Sequence, residues 1–183
     1  MRQAAPFQPY NLLAKILHWL ILALLIVQYS IAWTMPDIHK GTLPVGLIGW
    51  HLSGGTFILL VVVIRIIWRA VMPTPAPPDS ISPSLQFMSR VTHFTLYLIL
   101  LALPLMGWAN ASARGWHVAL LGIELPALVK TGSSLGRSLG GLHSTTAIIL
   151  LVAIGLHVCA ALYHQWILRD GLMHRMGFGG RRP

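Results

Sequence analysis

Histidines are the residues of this chain best suited to chemistry, and two of them, His143 and His157, lie fourteen residues apart in one uninterrupted apolar segment. On an α-helix, at about 100° per residue, fourteen steps return the second side chain to within roughly 40° of the first. At a rise of about 1.5 Å per residue the two imidazoles stand roughly 21 Å apart. Two imidazoles on one face, one near each end of a span, can each supply an axial ligand to a separate haem. The alternative is a pair of packing histidines bonded to neighbouring helices; matching histidines elsewhere in the chain favour ligation.

Four apolar segments must position these groups: about 12–33, 47–71, 91–110 and 139–168. Each is long enough to cross a bilayer with some tilt. The first ends at Thr34-Met-Pro-Asp37 and the second at Pro73-Thr-Pro-Ala-Pro-Pro78. The first is too long and too uniformly apolar, and too poorly followed by a small-residue cleavage site, to be a signal peptide. The composition agrees: of 183 residues, 55% are hydrophobic and 9% charged, where a soluble domain carries about 25% charged residues. The expected fold is all-α, an integral membrane four-helix bundle forming a single domain over residues 1–183, without internal repeats.

Lys and Arg set the orientation. Arg2, Lys15, Arg65, Arg69, Arg90, Arg169, Arg175, Arg181 and Arg182 fall at the termini, the second connection and adjoining helix ends, whereas the first and third connections hold Lys40, Arg114, Lys130 and Arg137. Nine of the thirteen basic residues on one side places both termini in the cytoplasm. Trp33, Trp50, Trp68, Trp108 and Trp166 fall near span ends, as interfacial anchors do. The net charge of +9 therefore reads as membrane orientation rather than nucleic-acid binding. In the long third connection, Trp116–Pro126 is apolar but too short to span and is expected along the outer surface; Thr131-Gly-Ser-Ser-Leu-Gly136 reads as a flexible loop.

Orientation converts positions into depths. His51 and His143 share a level near the outer face. His18, about 22 Å below Trp33, shares a level near the inner face with His157. Two histidines from different helices at each of two depths make two bis-histidine haem sites stacked across the bilayer. Gly54 and Gly55, after His51, leave room for a flat macrocycle, as do Ala147, Ala160 and Ala161 on the last helix; small residues also let bare helices pack closely. His93, about 22 Å below Trp108, competes for ligation at the inner site. His164 shares the face of His157 but lies deeper, suited to bond a haem propionate or a quinone carbonyl. His39, His117 and His174 fall in loops or the tail and are expected to be solvated.

Other chemistries lack their parts. Zinc wants three or four converging ligands, and these histidines come as separated pairs without nearby carboxylates. The single cysteine, Cys159, rules out disulfides and thiolate clusters. No G-x-x-x-x-G-K-[ST] or G-x-S-x-G occurs, and the four acidic residues are scattered. The absence of C-x-x-C-H makes any haem noncovalent. No catalytic side chain is assigned.

Several runs then resemble one family. Lys15-Ile-Leu-His-Trp-Leu20, the Trp-His-Leu-Ser-Gly-Gly around His51, Arg65-x-x-x-Arg69-x-x-x-Pro73, Arg90-x-x-His93 with Tyr97, Leu103-Pro-Leu-Met-Gly107, and Gly155-Leu-His-Val-Cys-Ala-Ala-Leu-Tyr-His164 are similar to the bacterial cytochrome b561 proteins, in order and over nearly the whole chain. One departure is Gly141-Leu142 ahead of His143, where an aromatic often stands. The resemblance implies a four-helix dihaem cytochrome b of the inner membrane, with His18 and His157 on one haem b iron and His51 and His143 on the other, exchanging electrons with ubiquinone.

Two functions follow from that resemblance. A family member of this type is a superoxide oxidase, passing electrons from superoxide to ubiquinone; here Lys40, Arg114, Lys130 and Arg137 would steer the anion from the periplasm. His164, His93 and Arg69 are then candidates to bond or protonate quinone on the cytoplasmic side. The alternative is a quinone-linked electron-transfer subunit docking a periplasmic dehydrogenase or hydrogenase through the third connection.

Overall fold

The computed structural model describes residues 9–73, 75–76 and 81–177. Arg2, Arg181 and Arg182 of the orientation count, and Thr74, Pro77 and Pro78 of the second stop, lie outside the described residues.

Four helices are long and apolar enough to cross a membrane. The first, α1 (Leu12–Thr34), starts where the Asn11 carboxamide oxygen accepts the Ala14 N–H at 2.8 Å, satisfying one orphan donor of the first turn. The second, α2 (Leu47–Val71), starts after Gly46 at φ +59° and ends before Pro73. The third, α3 (Pro83–Ala113), begins two turns earlier than hydropathy placed it. Ser82 caps it and Pro83 occupies its first position, so the polar stretch around Gln86 and Ser89 is helix rather than loop. The fourth, α4 (Ser134–Tyr163), is capped by Ser133 and also starts early. Thr131–Gly136, expected to be a flexible loop, therefore supplies a cap and a first turn.

Residues between α3 and α4 fold into a hairpin that packs on the end of α2. Strands β1 (Ala119–Leu120) and β2 (Ile123–Glu124) pair antiparallel around Leu121 and Gly122, both at positive φ as a tight primed turn requires. The Thr56 hydroxyl on α2 donates to the Ala119 carbonyl at 3.1 Å, and Val118 beside it is buried. This hairpin caps one end of the bundle. Trp108, expected as an interfacial anchor, lines the cleft beneath it with its indole N–H buried and unpartnered among the described residues.

At the other end α4 continues into a π-helical turn, His164–Leu168, stopped by Arg169 at φ +51°, and a short α5 (Leu172–Met176) follows. Carbonyls of the tail then accept from α1 and its leading residues: Arg175 O from the Tyr10 N–H at 3.2 Å, Met176 O from the Trp19 indole at 3.0 Å, and Gly177 O from Lys15 Nζ at 2.8 Å. The two ends of the described chain thus meet on one side of the bundle.

Packing between helices is uneven. Neighbours α1–α2, α2–α3 and α3–α4 lie close, and α3–α4 lie closest, while the backbone of α4 stands off both α1 and α2. Close approach of α3 and α4 depends on missing side chains: a Cβ on Gly136 would lie 2.5 Å from Ala113 Cβ, and one on Gly140 2.6 Å from Asn110 Cγ. The core is a thin layer of Leu17, Ile21, Leu25, Ile58, Val61, Val62, Leu100 and Leu150. Apolar side chains such as Ile26, Phe94, Ile148 and Leu156 face outward, as the outer surface of a bundle in lipid should.

Candidate functional site

Where α4 stands off α1 and α2, histidines bridge the gap. At the hairpin end the rings of His51 on α2 and His143 on α4 have centroids 6.0 Å apart with planes at 81°. At the tail end the rings of His18 on α1 and His157 on α4 are 6.3 Å apart with planes at 78°. The ring of His93 on α3 lies 5.4 Å from His157. The structure thus gathers two imidazoles at the hairpin end and three at the tail end, all half-buried. An iron held between two imidazole nitrogens, with bonds of about 2 Å each, sets ring centroids about 6 Å apart. The chain therefore fits a bis-imidazole metal at each level, and His157 has two possible opposites.

Neighbouring groups treat the rings differently. Nδ1–H of His143 donates to the Leu103 carbonyl on α3 at 2.9 Å, and Gly107, one turn on, leaves space for the ring: a Cβ there would lie 3.0 Å from Cε1. Such a bond fixes ring orientation and leaves Nε2 for a metal. His51 is held from α1 by Gln28, whose amide nitrogen lies 3.1 Å from Nδ1 and donates to the His51 carbonyl at 2.7 Å. Gly54, expected with Gly55 to clear a macrocycle, also clears this amide, since a Cβ on Gly54 would sit 2.5 Å from Gln28 Oε1. His93 donates from Nδ1 to the Ser89 carbonyl at 2.7 Å on its own helix. Among the described residues, the side chains of His18 and His157 make no hydrogen bond. Gly141, at the departure ahead of His143, faces open space.

The remaining candidates are distributed over both ends. Lys40, Arg114, Lys130 and Arg137 are all exposed at the hairpin end, with the Arg114 guanidinium 5.3 Å above the Trp116 ring. Arg69 is exposed at the tail end, lining a cleft with Tyr10, Asn11, Arg65, Trp68 and Tyr97. His164 is not free on all sides: its Nδ1 meets the Asp170 carboxylate, which also accepts the Leu172 N–H, so the pair ties the π-helical turn to α5. His117, expected to be solvated, is exposed but pairs with Glu124 across the hairpin. Among the described residues these are the two histidines with carboxylate partners; the paired histidines have none. His39 and His174 are exposed. Among the described residues no group of three or more His, Cys, Asp or Glu converges on one point.

Sequence reasoning gives no site role to Gln28, Tyr29, Arg65 or Tyr97. Gln28 and Tyr29 sit deep in an apolar run, and the Tyr29 hydroxyl donates to the Ala147 carbonyl at 2.6 Å, one of the few direct ties between α1 and α4. Arg65 enters the sequence analysis only through orientation and a family motif, yet its Nε donates to the Tyr97 hydroxyl at 3.0 Å and its Nη1 to the Ala14 carbonyl at 2.6 Å. The available signal was polarity at membrane depth; which helix each would face is not written in linear spacing.

Comparison with known proteins gives consistent results. The family profile described as prokaryotic cytochrome b561 matches residues 9–179. The chain is similar to the probable superoxide oxidase CybB of Yersinia pestis, 32% identical over 171 residues that cover 91% of this chain and 94% of that protein. It is also similar to cytochrome b561 homolog 2 of Escherichia coli strain K12, at 27% identity over 91% of this chain and 90% of that protein. Cytochrome b562 of Cereibacter sphaeroides is 28% identical over 91% of this chain and 94% of that protein.

Proposed function

The chain belongs to the prokaryotic cytochrome b561 family, and from that membership we propose that it is a dihaem oxidoreductase of the bacterial inner membrane carrying electrons from periplasmic superoxide to ubiquinone. Membership itself implies haem b and electron transfer in a prokaryotic membrane. The finer reading rests on one observation above the others: α4 presents His143 and His157 to partners on two different helices at two levels.

In this reading both termini are cytoplasmic, His51 and His143 hold one haem near the periplasm, and His18 and His157 hold the other near the cytoplasm. Haem b, when bound, supplies a centre that accepts and returns one electron. The exposed Lys40, Arg114, Lys130 and Arg137 draw a small anion to the periplasmic end. Each of two superoxide anions gives up one electron and leaves as O₂. Quinone takes the two electrons with two cytoplasmic protons and becomes quinol. His93, whose Nε2 has no partner among the described residues, His164, backed by Asp170, and Arg69 in its cleft are the groups suited to bond quinone or pass it protons.

A second reading, a quinone-linked cytochrome b subunit for a periplasmic dehydrogenase or hydrogenase, draws on the hairpin tip, where Leu121 and Ile123 are 77% and 70% exposed, an apolar contact for a protein partner. The test is a pyridine haemochrome assay on purified protein, followed by rapid mixing with superoxide. Two haem b per chain, reduced by superoxide and reoxidised when ubiquinone is supplied, are expected. One haem or none would refute the dihaem reading, and two haems indifferent to superoxide would leave the subunit reading in its place.

A further inference from the structure

Arg65 is a full positive charge inside a membrane-spanning helix, and the groups that hold it are neutral. The Tyr97 hydroxyl accepts from Nε and the Ala14 carbonyl from Nη1. Among the described residues no carboxylate lies within salt-bridge distance of it. Ala14 is one turn from His18 along α1, and Tyr97 is one turn from His93 along α3. The guanidinium is thus pinned from two sides at the level of the tail-end histidines. A strut between α1, α2 and α3 needs only a hydrogen-bond donor; a neutral one would serve without the expense of an unpaired ion at membrane depth.

The hairpin end is built differently. The groups against His51 and His143 are an amide and a backbone carbonyl. The cations on that side, Lys40, Arg114, Lys130 and Arg137, are exposed in water, where salt screens them beyond about 10 Å at 0.1 M. Arg65 acts in a medium of much lower dielectric, where a unit charge is felt several times more strongly.

We propose that Arg65 makes the two electron sites unequal, stabilising an electron held beside His18, His93 and His157 relative to one held beside His51 and His143. The inference rests on the dihaem reading above and adds a direction to it: electrons entering at the hairpin end run downhill to the tail end. Arg65 is a positioning charge, acting through its field and not by ligation.

The test is a redox titration of the purified, haem-loaded protein, with the two haems resolved by optical and EPR spectra and assigned by comparison with His51→Ala. In the natural protein the tail-end haem should have the higher potential. Arg65→Gln should lower that potential alone, reducing the equilibrium constant for placing the electron at the tail end by tenfold or more, equivalent to about 59 mV per tenfold. Tyr97→Phe removes an anchor but keeps the charge and should leave both potentials nearly unchanged. If Arg65→Gln does not assemble, Tyr97→Glu sets a carboxylate against the guanidinium and should lower the tail-end potential in the same way. Equal shifts of both haems, no shift on losing or neutralising the charge, or a drop in Tyr97→Phe as large as in Arg65→Gln would overturn the proposal. Failure of the natural protein to bind two haems would instead strike the reading beneath it.

Discussion

Three imidazoles at one level raise a question of partnership that single residues can answer. His157 faces His18 at 6.3 Å and His93 at 5.4 Å, while His93 is already tied to its own helix through Ser89. If His18 is the ligand, His18→Ala converts the tail-end haem to a high-spin or lost form, whereas His93→Ala leaves its low-spin EPR signal in place and slows quinone reduction instead. The reverse pattern would assign His93 to iron. His51→Ala should remove only the hairpin-end haem in the same spectra. The pairing of His18 with His157 and of His51 with His143 was legible because a histidine in an apolar run has few reasons to be there and helical rise turns its number into a depth. Gln28 was not, because its meaning depends on the rotational phase of α1 against α2, and on Gly54 leaving room for its amide.

Helix positions carry the next layer of the design. The α3–α4 contact is set by Gly136 and Gly140, whose absent side chains let α4 lie against Ala109, Asn110 and Ala113. A Gly140→Leu change has no room to relax, because the opposing atoms belong to a half-buried Asn110 on a tightly packed helix. It should push α4 away from α3, weaken the His143–Leu103 bond three residues along, and cost about 1–3 kcal/mol as overpacking does. Loss of haem from the hairpin end with retention at the tail end, together with a lowered Tm in detergent, is the expected outcome. Four spans could be read from hydropathy, since nothing else keeps so many adjacent apolar residues together. The early starts of α3 and α4 escaped it because caps and polar first turns extend a helix beyond the apolar stretch. The hairpin escaped it too: two residues per strand carry no periodicity, and its turn sets Leu121 at a positive φ that a leucine seldom adopts.

Over the whole molecule, charge and order of synthesis matter more than any single contact. If superoxide is drawn to the exposed cations of the hairpin end, its second-order rate of haem reduction should fall as ionic strength rises, because the Debye length shrinks to about 10 Å at 0.1 M. Charge reversal at Lys130 or Arg137 to Glu should slow the reaction severalfold and flatten its salt dependence, with quinone affinity unchanged at the opposite end. Arg114 is a poorer place for this experiment, since its guanidinium also stacks on Trp116. The shared role of α4 has a consequence in time. Both histidine pairs take one member from α4, so a nascent chain that has inserted α1, α2 and α3 holds only unmatched halves, and neither pair is complete until α4 follows. On the dihaem reading neither site can load before α4 follows, and a chain interrupted before residue 143 should carry no bis-histidine haem at either level.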